Sequence, residues 1–148
     1  MPDLAALEAR IRNHIPLSEH LQFRLLSFND DRLTLSAPLA ANINDKGTMF
    51  AGSQAALMAL AGWCLTTLQA EQVVGRADVL AMQNSLRYRR PVTGALTIVV
   101  SSPDNSLLRF RHHLSQGERA PLQIAAEGFN DNGELASEYQ GEYLARIV

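Results

Sequence analysis

The sequence predicts an α+β fold in which one strongly curved antiparallel sheet wraps around one long buried helix. The first sign is the stretch from Asn42 to Ala70, which carries no charge between Lys46 and Glu71 and is built mainly from Ala, Leu, Met, Gly, Phe, Trp and Thr. A helix that is apolar on nearly every side has to be buried on nearly every side. The second sign is the set of shorter runs around it, which alternate apolar and polar residues with the period of half-buried strands. The length of the central run, free of proline, favours helix over strand.

That run is long enough to raise the question of a membrane, where a span needs about 20 mainly apolar residues. Ser53, Gln54, Thr66, Thr67 and Gln69 interrupt it. The half-apolar strands need something to cover, and a core helix supplies it. At 148 residues, with 47% apolar and 19% charged residues, the chain reads as a single globular domain over residues 1–148. A net charge of −2 gives no electrostatic case for nucleic acid. Met1 is not followed by a basic region and an apolar stretch, so no secretion signal is expected. The lone Cys64 cannot form an internal disulfide, fits a reducing cytoplasm, and reads as a packing residue rather than a nucleophile.

Taken in order, Asp3 is placed to cap a first helix whose Leu4, Leu7, Ile11 and Ile15 recur at helical spacing, with Glu8 four before Arg12. Pro16 is expected to end it. From Leu21 the period becomes two, with a break at Leu25-Leu26 that predicts a bulge. Asn29-Asp30-Asp31 turns the chain into Leu33, Leu35 and Ala37, a hairpin ending at Pro38. After the long helix, residues 71–78 read as a connection. Leu80, Met82, Asn84, Leu86 and Tyr88 then share one strand face, with Ala81, Gln83, Ser85, Arg87 and Arg89 on the other. Further strands follow at Leu96–Val100, Leu108–Leu114, Leu122–Ala126 and Leu135–Ile147, with turns at Thr93-Gly94, Pro103-Asp104-Asn105 and Asn130-Asp131-Asn132-Gly133. Short turns between these four strands predict an antiparallel meander.

This order of elements resembles the hotdog fold of acyl-CoA thioesterases and related dehydratases. The segment Asn44-Asp45-Lys46-Gly47-Thr48-Met49-Phe50-Ala51-Gly52 is similar to the N-x-x-G-x-x-H-G-G motif of the phenylacetyl-CoA thioesterase-like branch. Phe50 stands at the position of its His and Ala51 at that of its first Gly. The wording NDKGTMFAGS also resembles the thioesterase domain attached to an acetyltransferase in YiiD-type proteins. The resemblance implies hydrolysis of an acyl-CoA or acyl-carrier thioester by a homodimer or homotetramer, with coenzyme A as part of the substrate and no separate cofactor.

The residues themselves fit that chemistry. The first amides of a helix have no partner within it and present partial positive charge. Those of Ala51 and Gly52 can polarise a thioester carbonyl, and glycine lets the ligand approach closely. The other reading of the segment is an ordinary helix start capped by Thr48 or Asn44. The resemblance also exposes a gap. Thioester hydrolysis needs a group that activates water, and the two positions where these families carry a carboxylate fall on Asn44 and Ala59. Asn44 is then expected to orient water or hold the carbonyl, and Asp45 to act beside it or to cap the helix. Asn42, Gly47, Thr48, Phe50 and Ser53 complete the expected binding loop. Gln83, Asn84 and Ser85 are expected to reach the site across a dimer. Arg87, Arg89 and Arg90, with Arg109, Arg111 and His113, are candidates for the coenzyme phosphates, since Arg binds phosphate with two donors. The four His show no metal spacing and no metal is expected. A thioester-binding protein without hydrolysis, and a hotdog dehydratase or hydratase, stand as alternatives.

Overall fold

The structure, a computed structural model, describes residues 2–148. The chain opens with α1, Leu4–His14, whose first turn is closed by the Asp3 carboxylate accepting from the Ala6 amide at 3.0 Å. Pro16 does more than end this helix. It begins a second one, α2, Pro16–Leu21, because a proline in the first turn gives up no hydrogen bond that the helix would make. The strand expected from Leu21 therefore starts three residues later, as β1, Arg24–Asn29. It pairs with β2, Arg32–Ala37, through a turn in which Asp30 and Asp31 both have positive φ. That geometry matches the twist of paired strands.

The expected bulge falls between Leu25 and Ser27. The Leu25 amide donates to the Glu8 carboxylate at 2.8 Å, and the other Glu8 oxygen holds Arg12 at 3.0 Å. The Glu8–Arg12 spacing on α1 thus serves to tie the helix to the first strand.

The long helix, α3, runs Ala51–Val74 and ends at Gly75, whose φ of 80° suits a residue without a side chain. It takes up the first half of the expected connection, and β3, Ala77–Tyr88, takes up its last two residues. Next come β4, Leu96–Ser101, a helix α4, Asp104–Ser115, then β5, Ala120–Phe129, and β6, Leu135–Ile147. Here the sequence reading needs two corrections. Leu108–Leu114 is not a strand. Ser106, Leu107, Phe110 and Leu114 are buried at helical spacing while Leu108 faces solvent, so the alternation Leu108, Phe110, His112, Leu114 was a coincidence of composition. Nor is there a simple meander. The six strands lie in the order β1-β2-β4-β5-β6-β3, all antiparallel.

The hotdog architecture itself stands. The sheet curls around α3, whose Leu57, Met58, Ala61, Cys64 and Leu65 are buried against Leu33, Leu35, Ile98, Val100, Leu122 and Tyr143. Burying each large apolar side chain contributes roughly 1.5–3 kcal/mol. Cys64 sits in this core, and burial pushes its thiol well above the ordinary range, which suits a packing residue. Gly62 lets the Tyr143 ring lie against the helix, where any side chain would collide with it. The Tyr143 hydroxyl donates to the Ala59 carbonyl at 2.8 Å, so the 2.7 Å bond to Tyr139 must be donated by Tyr139. Among the described residues, no helix is long and apolar enough to cross a membrane.

Two features of this fold position the site. The strand β3 lies at the edge of the sheet. The opening of α3 is left uncovered by its own sheet, with Ala51, Gly52 and Ala55 exposed.

Candidate functional site

The segment leading into α3 is a closed loop. Ile43 bridges to Met49, the Phe50 amide donates to the Asn42 carbonyl at 2.7 Å, and the Met49 amide donates to the Val92 carbonyl at 2.9 Å. Asn42 is buried, and its side chain donates to the Leu21 and Pro38 carbonyls, both at 2.9 Å. It anchors the loop base to α2 and cannot face a ligand.

Asn44 closes the loop tip. Its Oδ1 accepts from the Lys46 amide at 2.8 Å and the Thr48 amide at 3.0 Å, while Nδ2 donates to the Thr48 hydroxyl at 2.9 Å. An asparagine side chain has two donors and two acceptor sites, and three of the four are held here. The fourth points to the Met49 carbonyl at 3.5 Å. Gly47 completes the turn at a φ of 80° that other residues rarely adopt. Asp45 leaves 81% of its side chain in solvent and pairs with Lys46 at 3.1 Å, a pairing worth little in water. It neither caps the helix nor faces it.

The helix start is the unusual part. Its cap position is Phe50, no side chain caps it, and no acidic residue lies in its first turn. The cap expected from Thr48 or Asn44 is absent because the loop uses both. The helix of 24 residues therefore presents its positive end unopposed. Beside it, the Phe50 ring lies over Gly52, close enough that a methyl group there would strike it. Ser53 is half-buried behind them.

One residue was missed by sequence reading. The Tyr88 hydroxyl, at the end of β3, donates to the Ala51 carbonyl at 2.8 Å and fixes the edge strand to the helix start. Only its place on an apolar strand face was visible beforehand.

The strand residues divide between two faces. Cross-strand partners point the same way, and Leu86 pairs with buried Tyr139 while Asn84 pairs with Gly141. Asn84 thus shares the helix-facing side with Leu86 and Tyr88, as expected. A bulge between Ala81 and Gln83 reverses the assignment before it, putting Ala81 inside and Leu80 outside. Gln83 and Ser85 lie on the outer face, in a shallow polar groove of about 250 Å³ with Gln123 and Glu142. Arg87 shares that outer face. Within one protomer these three are separated from Ala51 and Gly52 by the sheet. Arg89 pairs with Glu138 at 2.8 Å, and Arg90 with Glu134 at 3.6 Å and the Leu135 carbonyl at 2.9 Å.

The α4 candidates belong elsewhere. Arg111 donates to Asp31 at 2.9 Å and to buried Gln69 at 2.8 Å. Gln69 lies seventeen residues beyond Gly52, about 25 Å along the helix. His113 pairs with Glu118 at 3.1 Å. Among the described residues, no three His, Cys, Asp or Glu side chains are grouped to hold a metal.

A curved antiparallel sheet around one buried helix, with the start of that helix left bare, defines a hotdog protein. The chain belongs to the family described as "Putative thioesterase (yiiD_Cterm)", whose model matches residues 4–147. It is similar over 97% of both chains to a putative thioesterase from Shewanella oneidensis, at 36% identity and a TM-score of 0.88. A protein of unknown function from Chlorobaculum tepidum matches over 97% of this chain and 94% of its own, at 26% identity and a TM-score of 0.80. A Pseudomonas aeruginosa protein described as a probable thioesterase shares the fold at 21% identity and a TM-score of 0.80, over 99% and 97% of the two chains.

Proposed function

We propose that the protein binds an acyl-CoA or acyl-carrier thioester with its carbonyl oxygen on the amides of Ala51 and Gly52, and hydrolyses it. The observation that carries this reading is the exposed, uncapped start of a 24-residue helix. Donors fixed in place before reaction stabilise the oxyanion that forms when water adds to the carbonyl. Collapse of that adduct breaks the carbon–sulfur bond, the thiolate takes up a proton, and the free acid leaves. Gly52 and Phe50 bound the carbonyl site, and Asn44 holds the loop that sets their position. The proposed working unit is a homodimer or homotetramer in which β3 edges meet, so that Asn84 of one subunit, on the helix-facing side, can serve the other, while Gln83, Ser85 and Arg87 stay on the outer face. Arg89 and Arg90 would then carry the coenzyme phosphates, and the reading places the protein in the cytoplasm.

A second reading is binding without hydrolysis, and one observation favours it. Asn44 spends its amide on the loop, Asp45 faces solvent, and Ala59 stands where these families place an acid in the helix. Purified protein incubated with acyl thioesters of graded length and with aromatic ones decides between the two. Hydrolysis predicts steady release of free thiol from at least one of them. Thermal stabilisation by the same compounds with no thiol released selects binding alone, and neither effect with any compound sinks both.

A further inference from the structure

Hydrolysis needs a group that orients water, and the helix entry offers none, because Asn44 is held in its loop and Asp45 faces solvent. A polar side chain on the edge strand has its orientation set by the core instead. Asn84 of β3 stands directly across from Gly141 of β6. With no side chain at 141, the Tyr139 hydroxyl leans over that position, where an added carbon would come within 3.0 Å of it. Tyr139 is the diagonal cross-strand neighbour of Asn84 on the same face, and its hydroxyl lies within hydrogen-bonding reach of the Asn84 side chain.

The protons of this cluster leave one arrangement. The Tyr143 hydroxyl donates to the Ala59 carbonyl at 2.8 Å, and the Tyr139 hydroxyl donates to Tyr143 at 2.7 Å. A phenol has one proton, so Tyr139 can only accept from Asn84. An asparagine amide has a donor end and an acceptor end. Nδ2 turns to Tyr139, and Oδ1 is left on the open side, where Asn84 is exposed. A chain of hydrogen bonds anchored on α3 thus holds an acceptor in the cleft between that helix and the sheet edge.

We propose that Asn84 Oδ1 orients the water that attacks a thioester held at the helix start of a second copy of the chain, with Tyr139 and Tyr143 as positioning residues. The inference rests on the thioester reading above and names the group that aims its water. The chain of hydroxyls meets α3 at Ala59, about 12 Å along the axis from Ala51. A water on Asn84 is therefore too far from its own helix start to reach a carbonyl carbon there. Pairing of two β3 edges makes one continuous sheet, in which the helix-facing side of one strand adjoins that of the other, and Asn84 comes up to the second copy's helix start. The water oxygen bonds to the carbonyl carbon, the carbon–sulfur bond breaks with its electron pair on sulfur, and a proton of the water reaches the thiolate through solvent. Asn84 accepts a hydrogen bond throughout and takes no proton.

Steady-state hydrolysis of acetyl-, octanoyl- and phenylacetyl-CoA by the full-length protein tests this. On the thioester that the natural protein turns over, Asn84→Ala should lose about a hundredfold in kcat, with KM and melting temperature unchanged. Tyr139→Phe keeps the ring but removes the acceptor that turns the amide, and should lower kcat about tenfold with KM again unchanged. Asn84→Asp should turn over faster than Asn84→Ala and gain an acid limb absent from the natural protein, its rate falling as the pH drops toward the carboxylate value of about 4. A merely structural side chain would add no such limb. Gly52→Val puts a side chain against the Phe50 ring and blocks the helix start. Coexpressed with it, Asn84→Ala should regain turnover that neither variant has alone, because each mixed dimer keeps one intact pair of helix start and Asn84. An unchanged kcat in Asn84→Ala, a loss confined to KM, or no recovery in mixed dimers overturns the role of Asn84 and leaves the thioester reading standing. Thermal stabilisation of the natural protein by these compounds with no thiol released overturns it together with hydrolysis, and no effect of any of them removes the thioester reading itself.

Discussion

Tyr143 shows at the scale of one residue how the helix and sheet are joined. Its ring fits only because position 62 is glycine, and its hydroxyl crosses to a helix carbonyl. Burial holds that hydroxyl neutral well above the ordinary tyrosine value of 10.0, and Tyr139 is shifted the same way for the same reason. The unfolded chain therefore loses these protons first. Stability from this source is full below pH 10 and falls as pH rises past it, by up to about 1.4 kcal/mol per pH unit for each proton held only by the folded state. In denaturant melts run between pH 8 and 11, the alkaline fall should be shallower in Tyr143→Phe than in the natural protein. At pH 8 that variant should lose about 1 kcal/mol for the missing hydrogen bond. Equal slopes in the two proteins would mean that Tyr143 does not stay protonated inside the fold.

Among the elements, α4 tests how structure was read from sequence. Two periodicities overlap between Leu107 and Leu114, and both make sense locally. Pro103-Asp104-Asn105 suits a turn, yet it equally suits the first turn of a helix. What decides is a partner distant in sequence: Arg111 can reach Asp31 and Gln69 only from a helix laid across the end of α3. The β1–β2 hairpin was legible because its turn residues and its alternation agree within fourteen residues. The faces of β3 were half legible, since the bulge at Met82 has no local signature. The strand order was not legible at all, because pairing β3 with β6 is decided by which edges remain open. In the site, the place of the helix start could be read from residue types, whereas its lack of a cap and the confinement of Asn44 depend on where Thr48 and Lys46 fold back. Leu108 and Phe110 separate helix from strand by experiment, since a strand puts them on one face. Leu108 is 66% exposed and Phe110 fully buried. Phe110→Ala should cost about 3–5 kcal/mol, and Leu108→Ala should fall within about 0.5 kcal/mol of the natural protein. Similar losses at both positions would restore the strand.

For the whole molecule, the sheet has two ends that differ in kind. At one, β1 is only six residues long, a form that discourages further pairing. At the other, β3 runs twelve residues without proline, and leaves Leu80, Met82 and Tyr88 exposed. A long open edge of that kind is a template for another strand, and a second β3 related by a twofold axis is always at hand. Such pairing would bring Tyr88 and the helix start it holds beside the partner's strand, and Asn84 of the helix-facing side into reach of a ligand shared between subunits. Light scattering on the purified protein should then give twice the chain mass of 16.2 kDa, or four times it if dimers pair again. Leu80→Glu combined with Met82→Glu sets like charges against each other across the axis and should drop the mass to that of one chain, with the fold retained by circular dichroism. Thioester binding should weaken in the same variant, because a site completed across the edge is lost with the pairing. A natural protein that already weighs one chain, or a monomeric variant that binds thioester unchanged, would place the whole site within one subunit.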